Sequence, residues 1–210
     1  LDGKGLEKLK GKGWKDLNIN PRLTIYDMVY DKVNESFFIC GEKGLLLVLK
    51  DNNIYGIPLK IQKNIYSIWK KGDIIYLGSD AQIFSYNFKT GGLNNLKMEE
   101  VFNEKRIEKV RDGYVISGNI IGKIIDTEVQ VIAQATEAQF HDLLIDNNKI
   151  YIVGDRGGFY EYNGKDLLSI KTPTSANLRG ITKGAEKFYI TGDFGLILSF
   201  DGKKVEKLYQ

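Results

Sequence analysis

Apolar residues in this chain do not recur at the three- and four-residue spacing of an amphipathic helix. They come in short runs of about four to six, separated by Gly, Asp and Asn. The clearest example is Phe188-Tyr189-Ile190-Thr191-Gly192-Asp193-Phe194-Gly195-Leu196-Ile197-Leu198-Ser199-Phe200-Asp201-Gly202: two apolar runs joined by a glycine-bounded turn and closed by an Asp-Gly turn. The same pattern returns at 151–164, 37–49, 74–84 and, more loosely, 114–125. The bounding glycines are Gly41, Gly78, Gly118, Gly154 and Gly192, at intervals of 37, 40, 36 and 38 residues. A period near 40 built only of short strands predicts the four-stranded blades of a β-propeller.

The expected fold is therefore all-β, with about five antiparallel four-stranded blades in one domain. The repeats fall at 23–62, 63–105, 106–138, 139–176 and 177–210, and residues 1–22 form a partial outer strand and a connection. First strands are expected at 24–30, 64–69, 106–110, 139–145 and 177–182. The second and third strands of each repeat are nearly continuous apolar runs, as expected when both faces of a sheet are covered by stacked neighbours. Asp126-Thr127-Glu128 lacks the Gly or Asn of the other outer turns, so the third outer hairpin should be the least regular. Residues 98–105 read as a polar connection with room for a short helical turn.

Residues 1–9 resemble 200–208, both reading as an outer turn followed by a fourth strand. The front of the chain thus carries a fourth strand without the three that should precede it. Either the chain is the C-terminal part of a longer propeller, or the N-terminal segment closes a five-bladed ring in an unusual way; residues 1–10 are expected to pair as an outer strand of a blade.

Net charge is +3 and no run of four basic residues occurs, which gives no electrostatic footprint for nucleic acid. The apolar runs are far shorter than the roughly 20 residues of a membrane-spanning helix. Cys40 is the only cysteine and sits in an apolar run, so it reads as a buried small hydrophobe. With one histidine and no dense Asp-x-Asp loop, neither a metal site nor a cofactor is expected. Gly154-Asp155-Arg156-Gly157-Gly158 is followed by a strand, so it reads as a turn and not as a phosphate loop.

The last repeat, with Gly192-Asp193-Phe194-Gly195 and Ser199-Phe200-Asp201-Gly202, resembles propellers related to photosystem II stability/assembly factors and to Asp-box (sialidase-type) repeats. Gly202 comes one place early for an Asp box, and the closing Trp is absent. The resemblance implies the propeller fold; those families span assembly factors, glycan-processing enzymes and interaction scaffolds. A sialidase-type site needs clustered arginines and a Tyr–Glu pair. The five arginines here do not fall at matching repeat positions, so the chain is read as non-enzymatic.

One constellation stands out. Aligned on the first apolar residue of each first strand (Ile25, Ile65, Ile107, Phe140, Leu178), the next position holds Tyr26, Tyr66, Glu108, His141 and Arg179. The position after that holds Asp27, Ser67, Lys109, Asp142 and Gly180. First strands line a propeller's channel, so these five residues are the expected ligand-binding set. Glu108, His141 and Arg179 could orient a zwitterionic or carboxylated ligand, and a histidine flanked by Asp142 would make binding pH-sensitive near its ordinary value of about 6.5. The expected function is a binding scaffold for a protein or peptide partner, or for a small polar ligand. The alternatives are an extracytoplasmic sensor or adhesion domain of a larger protein, and a degenerate glycan-acting hydrolase.

Overall fold

The computed structural model describes residues 7–10, 13–16, 23–103, 105–136 and 138–209. The architecture is all-β and of the propeller type, with five antiparallel blades. The chain divides into two compact units, Leu1–Leu96 and Lys97–Gln210.

The first unit holds two blades. Blade 1 runs Ile25–Asp31, Ser36–Gly41, Leu46–Lys50, Asn53–Gly56, each strand paired with the next. Blade 2 runs Ser67–Lys71, Ile74–Ser79, Gln82–Asn87, Leu93–Asn95. The strands of blade 1 explain its unbroken apolar runs. Phe38, Cys40, Leu46 and Val48 pack against Ile65, Ile68, Ile75 and Leu77 of blade 2. Ile39, Leu47 and Leu49, one residue out of phase, form a separate cluster with Ile25, Phe37, Leu45 and Ile54. Successive side chains of a strand point to opposite faces, so two covered faces need an apolar residue at every position.

The second unit holds three blades. Blade 3 comprises Lys109–Arg111, Tyr114–Ser117, Ile120–Ile125 and Glu128–Gln134, with a fifth short strand, Lys97–Met98, added parallel to the last. Blade 4 comprises Phe140–Asp146, Lys149–Gly154, Phe159–Tyr162 and Leu167–Ser169. Blade 5 comprises Leu178–Lys183, Phe188–Gly192, Ile197–Phe200 and Val205–Tyr209. Blades 4 and 5 meet over an aromatic cluster in which Phe159, fully buried, lies 5.1 Å edge-to-face from Phe200.

The turn glycines are set by close approach. A Cβ on Gly41 or Gly154 would sit 2.2 or 2.1 Å from the carbonyl oxygen of Thr24 or Gln139, at the start of the same blade's first strand. The outer turns are closed by side chains: Asn163 Oδ1 accepts from the N–H groups of Lys165 and Asp166, and Asp201 Oδ1 from those of Lys203 and Lys204. These are Asx turns, which need only a short polar side chain at that place.

Two expectations change. Glu7–Lys10 pairs antiparallel with Gly13–Asp16 in a two-stranded hairpin, and among the described residues neither strand joins a blade; residues 1–6 lie outside the described residues. Sequence likeness to a fourth strand encodes an extended segment, not its partner, and the nearest extended segment is the adjacent one. The outer hairpin of blade 3, expected to be the least regular, shares its register shift with that of blade 5 (between Ile197 and Leu198) and closes tightly: Asp126 takes a left-handed φ of 51° and Ile125 pairs with Glu128 across a two-residue turn. Its irregularity is a register shift between Ile121 and Gly122. The polar connection at 98–105 carries the short helical turn expected there, a 3-10 turn at Glu100–Phe102, and no α-helix occurs among the described residues.

Candidate functional site

Tyr26, His141 and Arg179 share a backbone irregularity that position alone does not suggest. In blade 4 Phe140 pairs with Gly154 and Asp142 with Val153, so His141 is an extra residue against the second strand. Tyr26 and Arg179 are the extra residues of blades 1 and 5. In blades 2 and 3 the same two-against-one arrangement follows from Tyr66 N–H donating to Gly78 O and Glu108 N–H to Ile116 O, each oxygen lying beside the paired Ser67 or Lys109. A β-bulge bends the strand and re-aims the side chain it carries. The preceding apolar residue is fully buried in four of the five blades, as Ile65, Ile107, Phe140 and Leu178. In blades 1, 2, 4 and 5 the bulge residue turns out toward the turn between the second and third strands.

That turn supplies an acid in four blades. In the first unit, Glu42 accepts from Thr24 N–H (3.2 Å), from Thr24 Oγ1 (2.9 Å) and from Tyr26. The Thr24 hydroxyl and N–H hold its carboxyl below the usual range against a weaker effect of burial. Tyr66 donates its hydroxyl to Asp80 Oδ2 at 3.4 Å and accepts from Asn64 Nδ2 at 3.3 Å. The Tyr26 and Tyr66 rings lie 5.0 Å apart, tilted by 49°.

In the second unit, His141 Nε2 lies 2.6 Å from Asp155 Oδ1, and Arg179 binds Asp193 through Nε (2.8 Å) and Nη2 (3.0 Å). Arg179 Nη1 is also 3.0 Å from His141 Nε2. One ring nitrogen cannot donate to Asp155 and accept from Arg179 together. The 2.6 Å contact selects the Nε2–H···Oδ1 form. The hydrogen bonds to Asp193 raise the Arg179 guanidinium pKa despite opposing desolvation, with the charges of Asp155 and Glu108 adding to them. Asp193 is correspondingly lowered, first by Arg179. His141 and Arg179 are thus each already held by the carboxylate of their own blade's turn.

Blade 3 is the exception. Its turn holds Asn119 where the others hold an acid, and the bulge residue is itself an acid. Glu108 therefore turns to Arg106, which donates to it through Nε (3.0 Å) and Nη2. Asn119 Nδ2 donates to Ala135 O at 2.6 Å. Beside this turn lies a cavity of about 510 Å³, bounded among others by Lys105, Arg106, Glu108, Asn119, Gln139 and Arg156. Lys105, Asn119, Gln139 and Arg156 were not singled out from the sequence. The signal was present: Gly118 is the only bounding glycine with neither Asp nor Glu in the two residues after it.

Asp142, read from the sequence as a companion of His141, belongs to a different device. Its Oδ2 accepts from Ile181 N–H of blade 5 at 3.0 Å, and Arg111 Nη1 of blade 3 lies 3.6 Å from Oδ1. Burial pushes its carboxyl up, opposed by the Ile181 N–H and the nearby cations. The bulge interrupts the regular alternation of side chains, and the two residues at it meet different partners, His141 the turn and Asp142 the next blade.

No protein-family model matches the chain, and no curated protein does. Solved structures match widely. The extracellular domain of BT4673 from B. thetaiotaomicron superposes with a TM-score of 0.81 at 14% identity, over 99% of this chain and 31% of that one. It is named in one crystal structure as part of a hybrid two component system and in another as part of a one component system. The computationally designed Ika8 protein superposes with a TM-score of 0.65 at 16% identity, over 89% of this chain and 61% of its own. The chain thus spans about a third of the length of the extracellular domain it matches, and at these identities the likeness is one of fold.

Proposed function

We propose that this chain is a non-enzymatic binding scaffold, and that it serves in an extracytoplasmic sensor, presenting its bulge-borne side chains to a small polar ligand or to a protein or peptide partner. The observation that carries the reading is the array itself. Five first strands each carry a polar or charged residue at a β-bulge, and in four of the five it is fixed to the same turn by a turn carboxylate. Side chains held by such bonds are pre-organised for recognition. The charged groups are mutually saturated, which favours binding over catalysis: none of them is an activated nucleophile. The fold likeness to a sensor's extracellular domain favours the sensor role over other uses of a scaffold. The repeat-level resemblance to assembly-factor and Asp-box propellers is compatible with this role; the Asp201 that suggested it closes a turn.

The test is a ligand screen on the purified chain, by thermal shift and by amide chemical shifts, with a double variant His141→Ala/Arg179→Ala. Saturable binding that the double variant weakens at least about ten-fold, with melting nearly unchanged, supports the reading. A screen of small polar metabolites and of partner proteins that returns no saturable binder overturns it, as does a binder wholly indifferent to the bulge residues and to the blade 3 cavity.

A further inference from the structure

Blade 3 breaks the array in a way that leaves positive charge uncommitted. Elsewhere each turn contributes a carboxylate; here Asn119 contributes a neutral amide whose Nδ2 is spent on Ala135 O, leaving Oδ1 as an acceptor. Arg106 and Glu108 neutralise one another. Lys105 and Arg156, which also bound the 510 Å³ cavity, have no ion-pair partner among the described residues. The stem of Lys105 lies over Gly118, with its Cδ 3.7 Å from where a Cβ would be. Arg156 is presented from a rigid place: its backbone takes φ 55°, and its N–H is held by Asn177 Oδ1 at 3.0 Å. Among the described residues the cavity wall thus carries three cations against one carboxylate, and its volume lies in the range of small-ligand sites, roughly 300–1,000 Å³.

We infer that this cavity binds a small carboxylate, with the carboxylate between Lys105 and Arg156 and neutral polar groups against Asn119 and Gln139. A guanidinium fork matches the planar carboxylate, and an ammonium adds a point charge. Glu108 is already bound to Arg106 in the same wall, so Lys105 and Arg156 are the two cations left to meet the ligand's charge. The inference rests on the binding reading above and names its ligand class.

The experiment titrates the purified chain, at low ionic strength, with three carboxylates of different body (glucuronate, glutamate and lactate), with neutral glucose and with glucose 6-phosphate. Calorimetry gives affinity and amide shifts give location. The expected result is saturable binding of at least one carboxylate with shifts at Gly118, Asn119 and Arg156, and glucose at least about ten-fold weaker. The variant Lys105→Gln/Arg156→Gln should lose at least about ten-fold, and so should Asn119→Asp, which restores the acid of the other turns at constant shape. Circular dichroism identical to the parent shows that both variants fold. Unchanged affinity in either variant, glucose or glucose 6-phosphate binding as tightly as the best carboxylate, or shifts confined to other blades, each overturns the inference while leaving the scaffold reading intact. Failure of all three carboxylates at millimolar concentration overturns it as well, whereas the scaffold reading falls only with the wider screen.

Discussion

Asp142 Oδ2 accepts a hydrogen bond from the backbone N–H of Ile181 across the seam between blades 4 and 5, at 3.0 Å. The first unit repeats it: Asp27 Oδ2 accepts from Ile68 N–H at 3.2 Å and from Ser67 Oγ at 3.1 Å. A residue that sequence alignment places beside the candidate ligand set is thus a latch between blades. Asp142→Ala leaves a part-buried amide unpaired and should cost about 1–3 kcal/mol. Asp142→Asn keeps an acceptor oxygen and should cost less. Urea titration of both variants checks this; equal costs would show that the hydrogen bond to Ile181 is not what Asp142 contributes.

Asp31 and Lys70 form a second seam tie, 2.9 Å apart and both more than nine-tenths buried. Burial alone would raise the Asp31 carboxyl, but bonds from Lys70, Asn34 and the Val33 N–H, with the Lys70 charge, lower it to about 2. A folded pKa below the unfolded one adds stability that is present above about pH 4 and is lost as pH falls through about 2. That contribution should be roughly 1–2 kcal/mol, allowing for solvent screening. Lys70→Met strands a buried carboxylate and should cost about 3 kcal/mol at neutral pH. Its stability should also fall less steeply than that of the parent between pH 4 and pH 2. Denaturant midpoints across that range decide it, and parallel curves for parent and variant would refute the pairing.

Gly154→Ala would place a Cβ 2.1 Å from Gln139 O, so the second strand or the start of the first must move. A loss of about 3 kcal/mol or more is expected. Gly56→Ala, with nothing within 4 Å and no left-handed φ, serves as the control and should change stability by less than about 0.5 kcal/mol. Similar losses for both would mean that close approach is not what selects glycine at the turn.

Arg179 is half-exposed, with two bonds to Asp193. An ion pair this exposed contributes little, so Arg179→Ala should lower stability by no more than about 1 kcal/mol. Since Arg179 Nη1 approaches His141 Nε2, its removal should shift the His141 ring resonances more than those of any tyrosine ring. Ring resonances of His141 that do not move would separate the two residues.

Phe159 lies fully buried in the seam between blades 4 and 5, within 6.1 Å of the Tyr151 ring and 5.1 Å of that of Phe200. Phe159→Ala should cost about 3–5 kcal/mol. Phe194→Ala, at an 86% exposed ring, should cost little, and at φ 62° the change leaves the turn's backbone demand in place. Thermal unfolding of the two variants gives the comparison; a large loss from Phe194→Ala would reveal a contact for that ring.

By itself the sequence determined the repeat, the number of blades and most of the strands. These follow from local chemistry: apolar runs that cover two faces, and Gly, Asn and Asp at turns that need positive φ or close approach, as Gly41, Gly154 and the pair Asn147 and Asn148 show. It also put Tyr26, Tyr66, Glu108, His141 and Arg179 at one repeat position. Tertiary structure decided what that position does. The bulge that separates His141 from Asp142 is a property of two paired strands, and no spacing within one strand encodes it. The pairing of Glu7–Lys10 with Gly13–Asp16 was likewise a choice among extended segments of similar pattern. Whether a charge is spent or available depends on its neighbour in space. Arg179 meets Asp193 and Glu108 meets Arg106, while Lys105 and Arg156 are left facing a cavity.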